Sequence, residues 1–154
     1  MSALVVCMHA AATVFMTGLI WFVQAVHYPL MAKVPGAALG EYERGHMART
    51  TPLVAAAMGV ELVTAAWLVF DPPPGLGDRG RALIWLGAGM LGIIWGSTWG
   101  VQVPLHDRIA KGGGAPVVRR LVLTNWARTV AWTVRGVAAV ALLWLAARAG
   151  GGAR

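Results

Sequence analysis

The sequence predicts an all-α protein, an integral membrane bundle of four transmembrane helices, and three observations carry that expectation. The 154 residues are 58% hydrophobic and only 12% charged, with a mean hydropathy of +0.65, far on the apolar side of soluble domains. Four apolar runs separate the charged stretches, each near the ~20 residues that a bilayer crossing requires. The joints between them are short and marked by Pro and Gly, so residues 1–154 read as a single four-helix transmembrane domain with no room for a second folded unit.

The first helix is expected over 3–27. No basic segment precedes its apolar run and no small-residue cleavage site follows, so it reads as a retained helix rather than a leader. Pro29 and Pro35-Gly36 close it. The second helix is expected over 50–70, with Gly40 to Arg49 either a short interfacial helix or the start of the second helix drawn out beyond the membrane; Asp71-Pro-Pro-Pro-Gly75 ends it. The third is expected over 81–105. Its small residues Ala88, Gly92, Gly96 and Gly100 recur every fourth position and let another backbone approach closely, inside the bundle by expectation, or in a homo-oligomer as the alternative. Gly112-Gly-Gly114 and Pro116 lead to the fourth helix, expected over 119–148. No internal repeat is evident along the chain.

The formal charge of +7 and pI of about 11.1 do not point to nucleic acid, because the basic residues are spread through loops and helix ends instead of forming a patch. They report on topology. Loops one and three carry Lys33, Arg44 and Arg49, then Arg108, Lys111, Arg119 and Arg120; the other side carries Arg79, Arg81, Arg148 and Arg154. Basic residues favour the inner side, so both termini are expected outside. The preference for Arg over Lys and the Ala/Gly bias suggest a GC-rich bacterial source, and hence the cytoplasmic membrane. The single cysteine, Cys7, excludes an intramolecular disulfide and reads as a small apolar packing residue.

Polar side chains are costly in hydrocarbon unless they face the bundle interior, so their helical phase locates a site. The first helix has Thr13, Thr17, Gln24 and His27 near whole-turn spacings, with Trp21 and Tyr28 adjoining; the second has Glu61 and Thr64. The third has Trp95, Trp99, Gln102 and His106; the fourth has Asn125, Arg128, Trp132 and Arg135. Most of these lie toward loops one and three, where a polar, aromatic-walled pocket is expected. Glu61 falls roughly 12 Å into its run and Arg128 roughly 10 Å into its own, which predicts a buried Glu61–Arg128 pair, with Arg135 as the alternative partner. Such a pair either serves a substrate or proton or merely fixes helix register. Trp21, Trp67, Trp85, Trp126 and Trp144 read as interfacial anchors, and Trp95, Trp99 and Trp132 as pocket walls.

Four histidines raise the question of a metal. His9 lies roughly 27 Å along the helix from His27 and cannot share a site with it. His27, His46 and His106, with Glu61, make a mononuclear centre the alternative to a cofactor-free site. Glu43 and His46 have the Glu-x-x-His spacing of di-iron bundles, but the chain has too few interior carboxylates for one. His27 with His106 is the only pair suited to a bis-histidine haem. No phosphate loop or nucleophile elbow is present.

Val101-Gln-Val-Pro-Leu-His106, the basic glycine-rich loop after it, and Arg120 with Asn125-Trp-Ala-Arg-Thr129 give the chain a resemblance to the anthrone oxygenase family of small four-helix membrane proteins. His27-Tyr-Pro29 at the end of the first helix also fits. Gln102 and His106 stand where that family usually has asparagines. The resemblance implies cofactor-independent oxidation by molecular oxygen of an activated ring C–H in a hydrophobic, flat polycyclic or quinol-like substrate. It implies His106 or His27 as base, Arg128, Gln102 and Asn125 as groups that hold the enolate, and Trp95, Trp99 and Trp132 as its sandwich, with Glu61 nearby. The rival expectations are a metal- or haem-binding membrane oxidoreductase and a non-catalytic membrane protein whose buried polar groups lock the helices together.

Overall fold

The computed structural model describes residues 2–151; Arg154, counted above for topology, lies outside them. The described residues are helical with no strand, and four helices, Ala3–Met31, Gly36–Phe70, Gly77–Ala110 and Ala115–Gly150, are long and apolar enough to cross a membrane. They pack as a ring in chain order, each against the next and the fourth against the first. The outside is apolar: Phe15, Phe22, Val63, Phe70, Trp85, Val137 and Trp144 are exposed, while Gln24, Glu61, Asn125 and Arg135 are buried. An apolar shell around a polar interior is what lipid demands of a bundle.

Three apolar layers are stacked along the axis. Tyr28, Met31, Leu39, Leu105 and Leu121 pack near loops one and three; Met16, Ile20, Met58, Ile94 and Trp132 fill the middle; Val6, Leu68, Ile84 and Leu142 close the far end.

The second helix is one continuous element of 35 residues, so Gly40 to Arg49 is its beginning and not a separate interfacial helix. At 1.5 Å per residue it is roughly 52 Å long, well beyond the ~30 Å hydrocarbon core. Leu39 in its first turns packs against Leu105 and Ile109, and Arg44 Nη1 donates to the Ala110 carbonyl at 2.9 Å, which docks the extension on the end of the third helix.

The first and third helices each widen into a π turn, at Val23–His27 and Thr98–Gln102. Both are followed by a proline, Pro29 and Pro104. A proline ring clashes with the carbonyl four residues before it, and those residues, Ala25 and Gly100, fall inside the two π turns. The Tyr28 amide reaches back to Val23 and the Val103 amide to Thr98, five residues each, which opens the turn where the ring needs space.

The glycine stripe of the third helix does not pack inside the bundle. Gly92, Gly96 and Gly100 are exposed, and a Cβ built on any of them meets nothing within 4 Å. The close approach lies elsewhere, at Gly136, where a Cβ would come within 2.7 Å of Thr17 Oγ1, itself donating to the Trp132 carbonyl at 2.9 Å.

Candidate functional site

Glu61 pairs with Arg135 and not with Arg128. Arg135 Nε donates to Glu61 Oε1 at 3.1 Å, the Trp132 indole donates to Glu61 Oε2 at 3.1 Å, and Arg135 Nη1 donates to the Gly87 carbonyl. Next to them His9 Nδ1 lies 3.0 Å from Thr64 Oγ1, a satisfied buried histidine. The expected pairing fails because its depths were measured from the ends of the apolar runs. Counted from the true helix starts, Glu61 lies roughly 37 Å along its helix, Arg135 roughly 30 Å and Arg128 only roughly 20 Å along theirs.

A second layer joins the first and fourth helices. Asn125 Nδ2 donates to Gln24 Oε1 at 2.8 Å, and Gln24 Nε2 donates to the Val122 carbonyl at 3.3 Å. Asn125 Oδ1 in turn accepts from Arg128 Nη1 at 3.2 Å. The Arg128 guanidinium lies over the Trp132 ring, 5.1 Å from its centroid, and Nε is buried without a partner. No carboxylate pairs with Arg128 among the described residues.

Nearest loops one and three, Glu43 Oε1 accepts from His106 Nδ1 at 2.5 Å, and the Tyr28 hydroxyl lies 3.3 Å from His106 Nε2. With Nδ1 donating to the carboxylate, Nε2 is placed to accept from the Tyr28 hydroxyl. Glu43 is fully buried, and its Oε2 has no partner. Beside this chain the His27 and His46 rings stack with centroids 4.2 Å apart, and His46 Nδ1 lies 3.2 Å from Thr50 Oγ1.

A cavity of about 230 Å³ opens among these groups. Its walls are mostly apolar, from Met16, Ile20, Val23, Val54 and Met58, with Trp95, Trp99, Tyr28, His46, Gln102, His106 and Arg128 among the others. Of the residues singled out from the sequence, His106, Arg128, Gln102, Trp95 and Trp99 line it. His27, Asn125, Trp132 and Glu61 do not. Glu61 and Trp132 are spent on the Arg135 network, and Asn125 faces Gln24 while positioning Arg128. Gln102 Nε2 donates to Thr124 Oγ1 at 3.0 Å, so the donor expected for the substrate is already engaged, and Oε1 is buried without a partner.

The three histidines expected of a metal centre do gather, with His46 between His27 and His106, centroids 4.2 and 5.9 Å away. Stacked imidazoles hold their lone pairs in near-parallel planes, and among the described residues no three His, Cys, Asp or Glu side chains are placed to hold a metal ion. Glu61, the fourth ligand considered, belongs to a different layer. The haem pairing of His27 with His106 gains no support, because the His27 ring stacks on His46 and Tyr42 and does not face His106 across an open space.

Glu43 and Tyr28 are the residues that sequence reasoning missed as site members. Glu43 had a signal, a carboxylate one turn before His46, but that pointed to a metal. Tyr28 had only its place beside His27. In comparisons with protein-family models, curated proteins and solved structures, nothing matches this chain.

Proposed function

We propose that this chain is a multi-pass protein of the cytoplasmic membrane, with both termini outside, that works as an oxidoreductase resembling anthrone oxygenases. Its substrate is a flat, hydrophobic polycyclic or quinol-like compound held in the cavity, taken in the scheme below as a polycyclic ring ketone with an activated CH₂. The observation that carries this reading is the Glu43–His106–Tyr28 chain at the wall of an apolar cavity that also contains an unpaired Arg128.

In this scheme His106 Nε2 removes a proton from the activated ring carbon. Glu43 holds the tautomer and stabilises the imidazolium that forms, as the acidic member of a catalytic triad does. The negative charge moves onto the ring oxygen, where Arg128 stabilises it in a low-dielectric setting. Molecular oxygen then oxidises the enolate: one oxygen atom becomes the new ring carbonyl, and the other leaves as water with the two hydrogens of the former CH₂. The substrate gives four electrons and one O₂ takes them, so no other reductant or oxidant is required. Trp95 and Trp99, with ring centroids 6.4 Å apart, offer faces to a planar ring.

The test is oxygen consumption and quinone formation by detergent-purified protein supplied with an anthrone, together with metal analysis and a visible spectrum. Turnover lost in His106→Ala and Glu43→Gln, with the fold intact, supports the reading. Oxygen uptake no faster than without protein overturns it, and so does stoichiometric metal or a Soret band that disappears in His27→Ala or His106→Ala.

A further inference from the structure

We infer that the cavity is loaded sideways from the bilayer, through an opening between the second and third helices, by an amphiphile whose apolar body ends in one carboxylate or phenolate oxygen that pairs with Arg128. The inference rests on the reading of this cavity as the working site and adds the charge of its occupant and the route of entry.

The route is drawn by which lining residues are exposed. Thr51 and Ala55 on the second helix, and Trp99 and Val103 on the third, line the cavity and also lie on the outer surface, Trp99 at 63% exposure. These two helices pack together before and after Thr98–Gln102 but have little contact along that turn. The π turn thus parts the helices where the cavity meets lipid. Moving inward, Trp95 is half-buried and Arg128 only 7% exposed, so the passage leads from a lipid-facing indole to a buried cation.

The charge of the occupant follows from what the interior lacks. Arg135 has Glu61, and Glu43 is engaged with His106, which leaves Arg128 with only the neutral Asn125 and the face of Trp132. Arg128 Nε and the Trp95 indole Nε1 are both buried donors without a partner on residues that line this cavity. A cation facing low-dielectric walls calls for an anion, and unpartnered N–H groups call for oxygen.

Volume argues for a body that stays partly outside. About 230 Å³ is below the ~300–1,000 Å³ of pockets that enclose a whole drug-sized ligand. An amphiphile that places its anionic end at Arg128 and leaves the rest of its apolar body in the portal fits both the size and the opening.

The test uses the full chain in zwitterionic nanodiscs without any turnover assay, reading tryptophan fluorescence as 6-bromo-2-naphthoic acid or its methyl ester is added. Saturable quenching by the acid is expected, weakened about tenfold or more in Arg128→Gln, largely retained in Arg128→Lys, and absent or nonsaturable for the ester. Ala55→Phe, at the rim of the opening, is expected to slow association severalfold in stopped flow while changing equilibrium binding less. Equal binding of acid and ester, or binding indifferent to Arg128→Gln in a variant with wild-type melting, overturns the charge assignment. Association unchanged in Ala55→Phe overturns the lateral route. A chain that binds the acid through Arg128 yet consumes no oxygen defeats the oxidoreductase reading alone; oxygen consumption without Arg128-dependent binding defeats this one alone.

Discussion

Glu61 and Arg135 meet at 3.1 Å in the interior of the bundle, with 0% and 1% of their side chains exposed, and neither touches the cavity. The pair joins the second helix to the fourth across the ring, and through the Gly87 carbonyl it also holds the third. The three helices are thereby tied together at one level of the bundle.

Breaking that pair from one side leaves a buried charge without its partner. Glu61→Gln and Arg135→Met are each expected to cost about 3–5 kcal/mol, while the double variant Glu61→Leu/Arg135→Met lies much nearer the wild type. Thermal unfolding in detergent checks the series. A double variant as unstable as the sum of the singles would mean that the charges do not act as a pair.

Gly136 brings the first and fourth helices together over Thr17. Gly136→Ala is expected to lose about 1–3 kcal/mol through overpacking, because Thr17 is β-branched and its hydroxyl is committed to the Trp132 and Thr13 carbonyls. Thr17→Ala should recover part of that loss in the double variant, measured against each single change by chemical unfolding.

The two glutamines of the π turns are expected to behave differently. Gln24→Leu strands Asn125 Nδ2, and a buried donor left unpaired costs about 1–3 kcal/mol. Gln102→Leu removes a side chain whose Oε1 is already unpartnered, so its melting temperature should fall less and its effect should appear in substrate affinity.

Tyr28→Phe separates the members of the Glu43–His106–Tyr28 chain. The hydroxyl only donates to Nε2 in the resting site, so its loss should change the rate by less than tenfold. Glu43→Gln removes the charge that stabilises the imidazolium and should lower the rate by about 10²–10⁴-fold. Steady-state kinetics on both variants give the order; a larger loss in Tyr28→Phe than in Glu43→Gln would overturn this ranking of the two partners of His106.

Four helices were legible in the sequence because lipid imposes long apolar runs. Their ends were less so. The first turns of the second helix carry Glu41, Glu43 and Arg44 and left two readings, a short interfacial helix or the second helix drawn out beyond the membrane; the latter holds, with Leu39 and Glu43 buried. Depths counted from the apolar run alone left that extension out and so assigned Glu61 the wrong arginine. Helical spacing placed Gln102, His106, Arg128, Trp95 and Trp99 beside one cavity, but it could not tell a cavity wall from a neighbouring network, as with Trp132 and Asn125. The glycines of the third helix show the same limit: small-residue spacing marks a face that permits close approach, not which surface approaches it.

A π turn is an α-helix with one residue too many, accommodated locally. Deleting one residue within 23–27 or 98–102 is therefore expected to swing Gln24 or Gln102 away from the interior and to press the Pro29 or Pro104 ring against the carbonyl before it. The inward aim of both glutamines at the loop-one and loop-three end thus depends on one extra residue in each of two otherwise α-helical spans.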